Sequence, residues 1–164
     1  MILPDLLQPG LKLVFCGTAA SAKSAARGHY YAGPGNRFWP LLFETGLTPR
    51  LFAPQDDHLL PALGIGLTDL AKEASGTDRD IPPAAYTPER FAVSIAKFRP
   101  KALAFTSLTA AKIALGARHP PGPAQSPAFP DLALWVLPSP SGAARATFSA
   151  APWHALANHI QALA

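Results

Sequence analysis

The chain has 164 residues, which is enough for one domain with a full hydrophobic core and too few for two comfortable ones. Hydrophobic residues make up 49% and charged residues 15%, a composition that excludes a disordered chain. Its apolar runs fall well short of the roughly 18 residues of a membrane-spanning helix, and the net charge is +4. We therefore expect residues 1–164 to form a single globular domain.

Cysteine and histidine usage argues against metal and disulfide chemistry. The single cysteine, Cys16, excludes a disulfide framework and any site built from several thiolates, and the five histidines are scattered. We therefore expect no metal and no cofactor. The N-terminal segment MILPDLLQPG has no basic region ahead of an apolar stretch, so it does not predict a secretory signal, and we expect a cytoplasmic protein.

The charges are unevenly distributed along the chain. Residues 44–89 contain eight acidic and three basic residues, whereas the rest contains eleven basic and two acidic residues. Basic regions in a small domain are typical of a protein that binds a polyanion such as nucleic acid, although scattered lysines are also common on ordinary solvated surfaces.

The first half of the chain predicts two strands and two helices. LKLVFCG, residues 11–17, is too short for a helix and predicts a buried strand that ends in its glycine. TAASAKSAARG then favours a helix stopped by Gly28, and FWPLLFETG favours a short helix beginning near Phe38. LGIGLTDL, residues 63–70, predicts a second strand that ends near Asp69.

The second half continues the alternation after a polar loop. TPERFAVSIAKFRP predicts a helix with Thr87 as its N-cap and Pro88 at its first position. KALAFTS, residues 101–107, predicts a third strand, with a helix in LTAAKIALG behind it. HPPGPAQSPAFP has five prolines and predicts an irregular loop. LALWVLPS predicts the fourth strand, and a C-terminal helix then places Trp153 and other apolar residues on one stripe.

Strands separated by helices predict an α/β fold: a three-layer sandwich in which a central four-stranded parallel sheet is flanked by helices. In such folds ligands bind at the carboxyl ends of the strands. The segments GTAAS, GLTDL and LPSPSGAAR all follow or end strands, so we expect the functional site at that edge of the sheet.

The segment HYYAGPGNRFW, residues 29–39, concentrates aromatic side chains around a turn that is too broken by glycine and proline for one helix or strand. Together with GTAAS, GLTDL and WVLPSPSGAAR it resembles the uracil-DNA glycosylase superfamily, most closely the mismatch-specific uracil and thymine-DNA glycosylase branch. The resemblance covers roughly residues 5–160 and implies the sandwich described above. It also implies an enzyme that flips a damaged nucleotide out of DNA and hydrolyses the bond between base and sugar.

The resemblance assigns the base-binding residues. Tyr31 stands where the family places the aromatic ring that stacks on the extruded base, and Asn36 presents an amide to its edge. The backbone of the GTAAS segment, at a strand-to-helix turn, would bind the base and stabilise the departing anion, and Ser139 lies near the base. Residues assigned from GTAAS are Gly17, Thr18, Ala19 and Ser21. We expect Phe38 and Trp39 to enter the core, and His29 and Tyr30 to line or cover the pocket mouth.

The first motif departs from the family at Ala19. Relatives carry an asparagine or aspartate there, which positions the attacking water, and alanine lacks that function. The catalytic candidates are therefore Asn36 and Asp69, the latter as a carboxylate that orients water or stabilises the positive sugar. An alternative for Asp69 is a structural role, as a helix N-cap or as the ion-pair partner of Lys72.

The segment PSPSGAAR is expected to contact DNA. Ser139, Ser141 and Gly142 offer small donors for close approach of a phosphate, and Arg145 would pair with phosphate. The leucine that fills the gap left by the flipped base in relatives corresponds to Ala143. An alanine fills little of that gap, so we expect weaker holding of the product and a preference for single-stranded or destabilised sites.

The leading hypothesis is a monofunctional, metal-free uracil-DNA glycosylase that acts as a monomer on DNA containing uracil or another deaminated base. No lysine lies in a pocket motif, which argues against a Schiff-base lyase. Two alternatives remain: a hypoxanthine- or xanthine-DNA glycosylase, and a catalytically silent module that binds damaged bases.

Overall fold

The alternation of strands and helices is confirmed in a computed structural model, which describes residues 1–163 and, for Thr147, the backbone alone. Short 3₁₀ helices lie in the connecting segments. The strands and α-helices of the described range are β1 Leu13–Ala20, α1 Ala22–Arg27, α2 Phe38–Glu44, β2 Ile65–Ser75, α3 Pro88–Phe98, β3 Ala102–Phe105, α4 Leu108–Leu115, β4 Gly122–Ala124, β5 Ala133–Val136 and α5 Ala151–Gln161.

The sheet has the strand order β2-β1-β3-β5-β4. The four predicted strands, β1, β2, β3 and β5, are parallel to one another, as expected from the helices that connect them. The prediction of exactly four strands is wrong, because Gly122–Ala124 of the proline-rich segment pairs antiparallel with β5. Proline is tolerated at Pro123 because β4 is an edge strand, where a missing backbone N–H leaves no neighbour unpaired.

Strands β1 and β2 both run further than the apolar runs that predicted them. Gly17 pairs with Asp69 and Ala19 pairs with Ala71, so the first four residues of GTAAS continue β1 and the predicted strand-to-helix turn is confined to Ser21, the N-cap of α1. Asp69 lies within β2 instead of ending it. The small side chains of this segment permit the close pairing. By contrast, β3 pairs with β1 only as far as Cys16 and Phe105. The last part of β1 is therefore open on the side facing away from β2.

Apolar side chains cover both faces of the sheet, which makes the three predicted layers. One cluster contains Phe15, Phe38, Trp39 and Trp153, and the other contains the side chains of α3 and α4, with Phe91 at its centre. Trp153 is fully buried and stacks on Phe15 with ring centroids 5.8 Å apart. The C-terminal helix is thus an integral part of the layer that supports the aromatic segment.

Helix α3 begins at Pro88, as predicted, with Thr87 in the N-cap position. The Thr87 hydroxyl does not cap the helix, however: it donates to the carbonyl oxygen of Leu70 at 3.1 Å and so ties the helix to β2. Among residues 1–163, no helix is both long and apolar enough to cross a lipid bilayer.

Candidate active site

A cavity of about 600 Å³ opens where β1 and β3 end and where the predicted motifs converge. Pockets at the carboxyl ends of parallel strands are formed by the loops that follow them. Ten of the predicted site residues line it: Gly17, Thr18, Ala19, Ser21, Tyr31, Asn36, Asp69, Ser139, Ser141 and Ala143. Gly142 and Arg145, both predicted to contact DNA, are not among the residues that line this cavity.

The aromatic segment is anchored beneath the cavity. Phe38 and Trp39 are buried in the core, as predicted, and the Trp39 indole N–H donates to the carbonyl oxygen of Tyr30 at 3.1 Å. The Tyr30 backbone N–H donates to the carboxylate of Asp57 at 3.2 Å, and His29 lies against the same carboxylate. Tyr30 lines the cavity, whereas His29 is held by Asp57 and does not.

Tyr31 forms one wall of the cavity and has an unusual backbone conformation. Its φ is 53°, in the left-handed region that costs a bulky residue roughly 1–2 kcal/mol, so its orientation is imposed by the surroundings. One face of the ring stacks on Phe38, with centroids 3.9 Å apart. The hydroxyl lies 2.9 Å from the Thr106 hydroxyl. Burial and the nearby Asp69 raise the pKa of Tyr31, so the phenol stays protonated.

Asn36 lines the cavity from the turn that precedes α2. Its side-chain oxygen accepts a hydrogen bond from the Phe38 backbone N–H at 2.9 Å, which satisfies one of the free donors at the start of the helix. This bond leaves the amide NH₂ as the donor that Asn36 can direct toward a ligand. The side chain thus combines a structural role with a free polar group at the pocket.

Asp69 is a buried carboxylate at the cavity wall. It is 4% exposed, and within residues 1–163 no hydrogen-bond donor contacts its side-chain oxygens. The N-cap alternative is wrong because Asp69 lies inside β2, and Lys72 pairs with Asp5 instead of Asp69. Burial is the main cause that raises the pKa of Asp69, to about 6, and the charge of Lys72 opposes it. Near neutral pH the group is therefore an ionised carboxylate able to accept a hydrogen bond from a ligand or water.

Gly17 lets three polar groups meet at the base of the cavity. A Cβ atom at this position would lie 2.8 Å from a carboxylate oxygen of Asp69, 3.2 Å from the Tyr31 hydroxyl and 3.3 Å from the Thr106 hydroxyl. Any side chain at position 17 would therefore collide with Asp69.

Gly17→Ala is therefore expected to displace Asp69 and Tyr31 and to slow any reaction in this cavity by about 100-fold, because reacting groups tolerate little misplacement. Gly33→Ala is a matched control, since a Cβ at Gly33 meets only the Ser21 hydroxyl at 3.6 Å. The measurement is the single-turnover rate constant for the substrate proposed below, together with the melting temperature of each variant. Equal rates for both variants would contradict the expectation.

The loop after β5 closes the other side of the cavity. The Trp153 indole N–H donates to the Pro138 carbonyl at 3.0 Å, and the Ser139 hydroxyl accepts from the Ser141 backbone N–H at 3.2 Å. The backbone N–H of Arg37 donates to the Pro140 carbonyl at 2.9 Å. This bond joins the turn that contains Asn36 to the loop that contains Ser139 and Ser141, and both serines lie at the cavity. Arg145 is exposed on the 3₁₀ helix Gly142–Thr147 that follows.

Several lining residues have no counterpart in the predicted site. Thr106 follows β3 and supports Tyr31, and Asp78 and Arg79 reach the cavity from the loop after β2. The Thr18 hydroxyl donates to Asp78 at 2.7 Å, which ties this loop to the end of β1. The position of Thr106 near the carboxyl end of the strand predicted over residues 101–107 was a usable signal for its place at the cavity, whereas nothing in the sequence indicated the path of the polar loop.

No group of three or more His, Cys, Asp or Glu residues in the described part of the chain is arranged to hold a metal ion. Besides Asp78 and Arg79 on the loop after β2, the polar groups at the cavity are the Asp69 carboxylate, the Asn36 amide and hydroxyl groups from both sides. This set suits a neutral, planar ligand with carbonyl and N–H groups, held against an aromatic ring.

The fold has a counterpart among solved structures. The solution NMR structure of a candidate uracil DNA glycosylase from Methanosarcina acetivorans superimposes with a TM-score of 0.66 at 22% sequence identity, covering 97% of this chain and 96% of that one. Residues 4–159 match the family model of the uracil DNA glycosylase superfamily. The match extends over nearly the whole chain, and the protein therefore belongs to this superfamily of DNA-repair glycosylases.

Proposed function

We propose that the protein releases uracil from DNA by hydrolysis of the N-glycosidic bond, with Asp69 as the catalytic carboxylate. The observation that carries the proposal is the Asp69 side chain itself: a buried, ionisable group at the wall of the cavity, without a hydrogen-bond donor among the described residues. A carboxylate left unpaired in a protein interior costs stability, which favours a functional reason for its presence.

The base must leave the DNA stack before it reaches this cavity. Unstacking and unpairing cost a few kcal/mol, which the pocket has to return. The free part of the Tyr31 ring offers a stacking surface worth about 1–3 kcal/mol per base. The Asn36 amide donates to a carbonyl oxygen on the edge of the base, such as O4 of uracil, and Ser139 lies within the same pocket.

Hydrolysis then requires a water molecule at C1′ of the sugar. The bond between C1′ and the base nitrogen breaks, the base departs with the electron pair, and the water oxygen bonds to C1′. Asp69 stabilises the positive charge on the sugar and accepts a proton from the water. The methyl side chain of Ala19 has no group that could accept this proton. Asn36 is the second catalytic candidate, but its side-chain oxygen already accepts the Phe38 N–H. We therefore assign the water to Asp69 and the base edge to Asn36.

The open edge of β1 is proposed to hold the leaving base. Beyond Cys16 this strand has no β3 partner, and Gly17, Thr18 and Ala19 line the cavity there. Backbone N–H groups on that side would stabilise the negative charge that develops on the base oxygen. We therefore propose that the backbone of Gly17, Thr18 and Ala19 binds the base from within strand β1.

Contacts to DNA are proposed for the loop that follows β5. Ser139, Ser141 and Gly142 offer small groups for close approach of a phosphate, and Arg145 is an exposed cation beside them. Ala143 lies at the cavity in place of a bulky wedge, so we propose weak retention of the abasic product and a preference for single-stranded or destabilised sites.

The test is single-turnover cleavage of oligonucleotides that carry one uracil, hypoxanthine, xanthine or thymine, in single-stranded and duplex form. We expect release of uracil. Uracil and hypoxanthine share an adjacent carbonyl and N–H, and a cavity of about 600 Å³ is large enough for a purine, so hypoxanthine or xanthine is the second candidate. Purine release without uracil release would replace the proposal, and binding without cleavage at enzyme excess would indicate a silent binding module.

Tyr31→Ala is expected to weaken capture of the flipped base by about 5- to 150-fold, the equivalent of the stacking energy given above. Tyr31→Phe is the matched control, because it keeps the ring and its stack on Phe38 and loses only the hydrogen bond to Thr106. The measurement is the enzyme concentration that gives half-maximal single-turnover rate. Equal values for Tyr31→Ala and wild type would place the ring outside the base-binding surface.

A further inference from the structure

A cluster of charges, of which Lys72 is buried and Asp5 and Arg90 are partly exposed, lies beside the strand segment that carries Asp69. Lys72 of β2 is 4% exposed, and its ammonium group lies 2.9 Å from Asp5 and donates to the Tyr30 hydroxyl at 3.1 Å. Arg90 of α3 lies 3.4 Å from the second oxygen of Asp5, and the Thr68 hydroxyl donates to Asp5 at 2.7 Å. Burying the charge of a lysine costs free energy, so the protein must offset this cost with nearby opposite charges or use the charge in its function.

The cluster is joined directly to Asp69. A guanidinium nitrogen of Arg90 donates to the backbone carbonyl of Asp69 at 2.8 Å, and Thr68, which binds Asp5, is the preceding residue. The N-terminal segment carries Asp5 along β2, since the Ile2 N–H donates to the Lys72 carbonyl at 2.7 Å. Two separate elements, α3 and the N-terminal segment, therefore hold the short stretch of β2 on which Asp69 lies.

The charges of this region balance only when Asp69 is included. Asp5 is one anion, whereas Lys72 and Arg90 are two cations, so the cluster alone carries a surplus positive charge. The Asp69 carboxylate supplies the matching negative charge. Because Asp69 has no hydrogen-bond donor of its own among the described residues, these cations are its electrostatic support from the protein side.

We propose that Lys72 and Arg90 are positioning residues for Asp69: the buried charge of Lys72 and the partly exposed charge of Arg90 keep it a carboxylate, and the Arg90 contact holds its backbone in place. The effect of these residues on cleavage rests on the proposed function, whereas their effect on the ionisation of Asp69 does not. It adds a second layer of residues, outside the cavity, that determine whether the carboxylate at its wall is available to accept a proton.

The other titratable groups around Asp69 do not supply this support. Tyr30 and Tyr31 from the aromatic segment and Cys16 from β1 are neutral, and burial raises the pKa of each. Asp5 from the N-terminal segment raises the pKa of Asp69, whereas Lys72 and Arg90 lower it against the dominant effect of burial. The ionisation of Asp69 at neutral pH thus depends on the two cations.

The test is an NMR titration of the Asp69 side-chain carboxyl carbon in ¹³C-labelled protein, compared with the pH dependence of single-turnover cleavage. Lys72→Met is expected to move both transitions to higher pH by about one unit, and Lys72→Arg to restore them. Arg90→Gln is a second variant at a partly exposed site, which tolerates substitution better, and is expected to shift both transitions in the same direction. Lys112→Met, an exposed charge loss on α4, is the matched control.

Unchanged titration of Asp69 in both Lys72→Met and Arg90→Gln would overturn the proposal. If Lys72→Met does not fold, Arg90→Gln decides the matter alone. The NMR titration reads the carboxyl group without any substrate, so it separates this inference from the proposed function. Cleavage of no base by wild type, with a shifted titration in the variants, would retain the cluster's role and refute the activity.

Discussion

Replacing Asp69 with asparagine is expected to slow the single-turnover cleavage of uracil from DNA by at least 100-fold, the usual effect of removing a positioned acid or base. The amide is nearly isosteric, so Tyr31 and Gly17 keep their places, but it accepts no proton and adds no negative charge. Binding of uracil-containing DNA, measured by fluorescence anisotropy, should be retained. Glu73→Gln is the matched control, since Glu73 lies on the same strand and is exposed.

The stability of the same variant distinguishes a catalytic from a structural carboxylate. A buried acid with a raised pKa destabilises the folded state when it ionises, because the unfolded chain releases the proton at lower pH. Asp69→Asn is therefore expected to be more stable than wild type at pH 8, by up to about 3 kcal/mol, and similar to it below pH 4. Slower cleavage together with a lower melting temperature at pH 8 would indicate a structural role instead.

The rate of cleavage by the wild-type protein is expected to fall about tenfold per pH unit below pH 6, and about 100-fold between pH 8 and pH 4. Burial raises the pKa of Asp69 to about 6, and the carboxylate form, which the reaction needs, is lost as the pH drops through that value. The measurement is the single-turnover rate constant at saturating enzyme. A rate constant that stays unchanged from pH 8 down to pH 5 would mean that another group, or the backbone alone, positions and activates the water.

The residual rate of Asp69→Asn provides the control for that profile. An amide does not titrate in this range, so the pH dependence below pH 6 should disappear in the variant even though its rate is lower throughout. A variant that keeps the wild-type acid limb would assign the titration to a group other than Asp69.

The proposed site explains how this chain does without a polar side chain at Ala19. The first motif contributes its main chain and the space beside Gly17, while the carboxylate comes from β2, the neighbouring strand. Gly17 and Asp69 are paired in the register of β1 and β2, so the glycine and the carboxylate lie side by side in the sheet. The cost is a buried charge, for which we propose Lys72 and Arg90 as the compensating cations.

Periodicity and motif order were sufficient to predict the layered fold and about half of the pocket lining. Short apolar runs separated by helices lead to parallel strands, and parallel strands bring Tyr31, Asn36, Asp69 and Ser139 to one edge. These are local signals: each depends on residue types within a few positions, which is why a single sequence carries them.

The errors have a common physical origin. Strand β4 forms from Gly122–Ala124 because an exposed edge of β5 offers backbone partners, and β1 continues to Ala20 because β2 continues beside it. Backbone pairing with a strand distant in sequence leaves little trace in the side chains of either segment. For this reason the predicted loop missed β4, and the predicted strand-to-helix turn is confined to Ser21, the last residue of GTAAS.

The amino-acid sequence by itself determined the alternation of strands and helices, the edge of the sheet that carries the site, and about half of the residues that line it. Only the tertiary structure decided that the hydroxyl of Thr106 supports Tyr31, that Asp78 ties down Thr18, and that Lys72 pairs with Asp5. Periodicity depends on short-range geometry and is readable in the chain. Charge pairing and burial depend on which distant residues meet, and that is settled only when the layers pack.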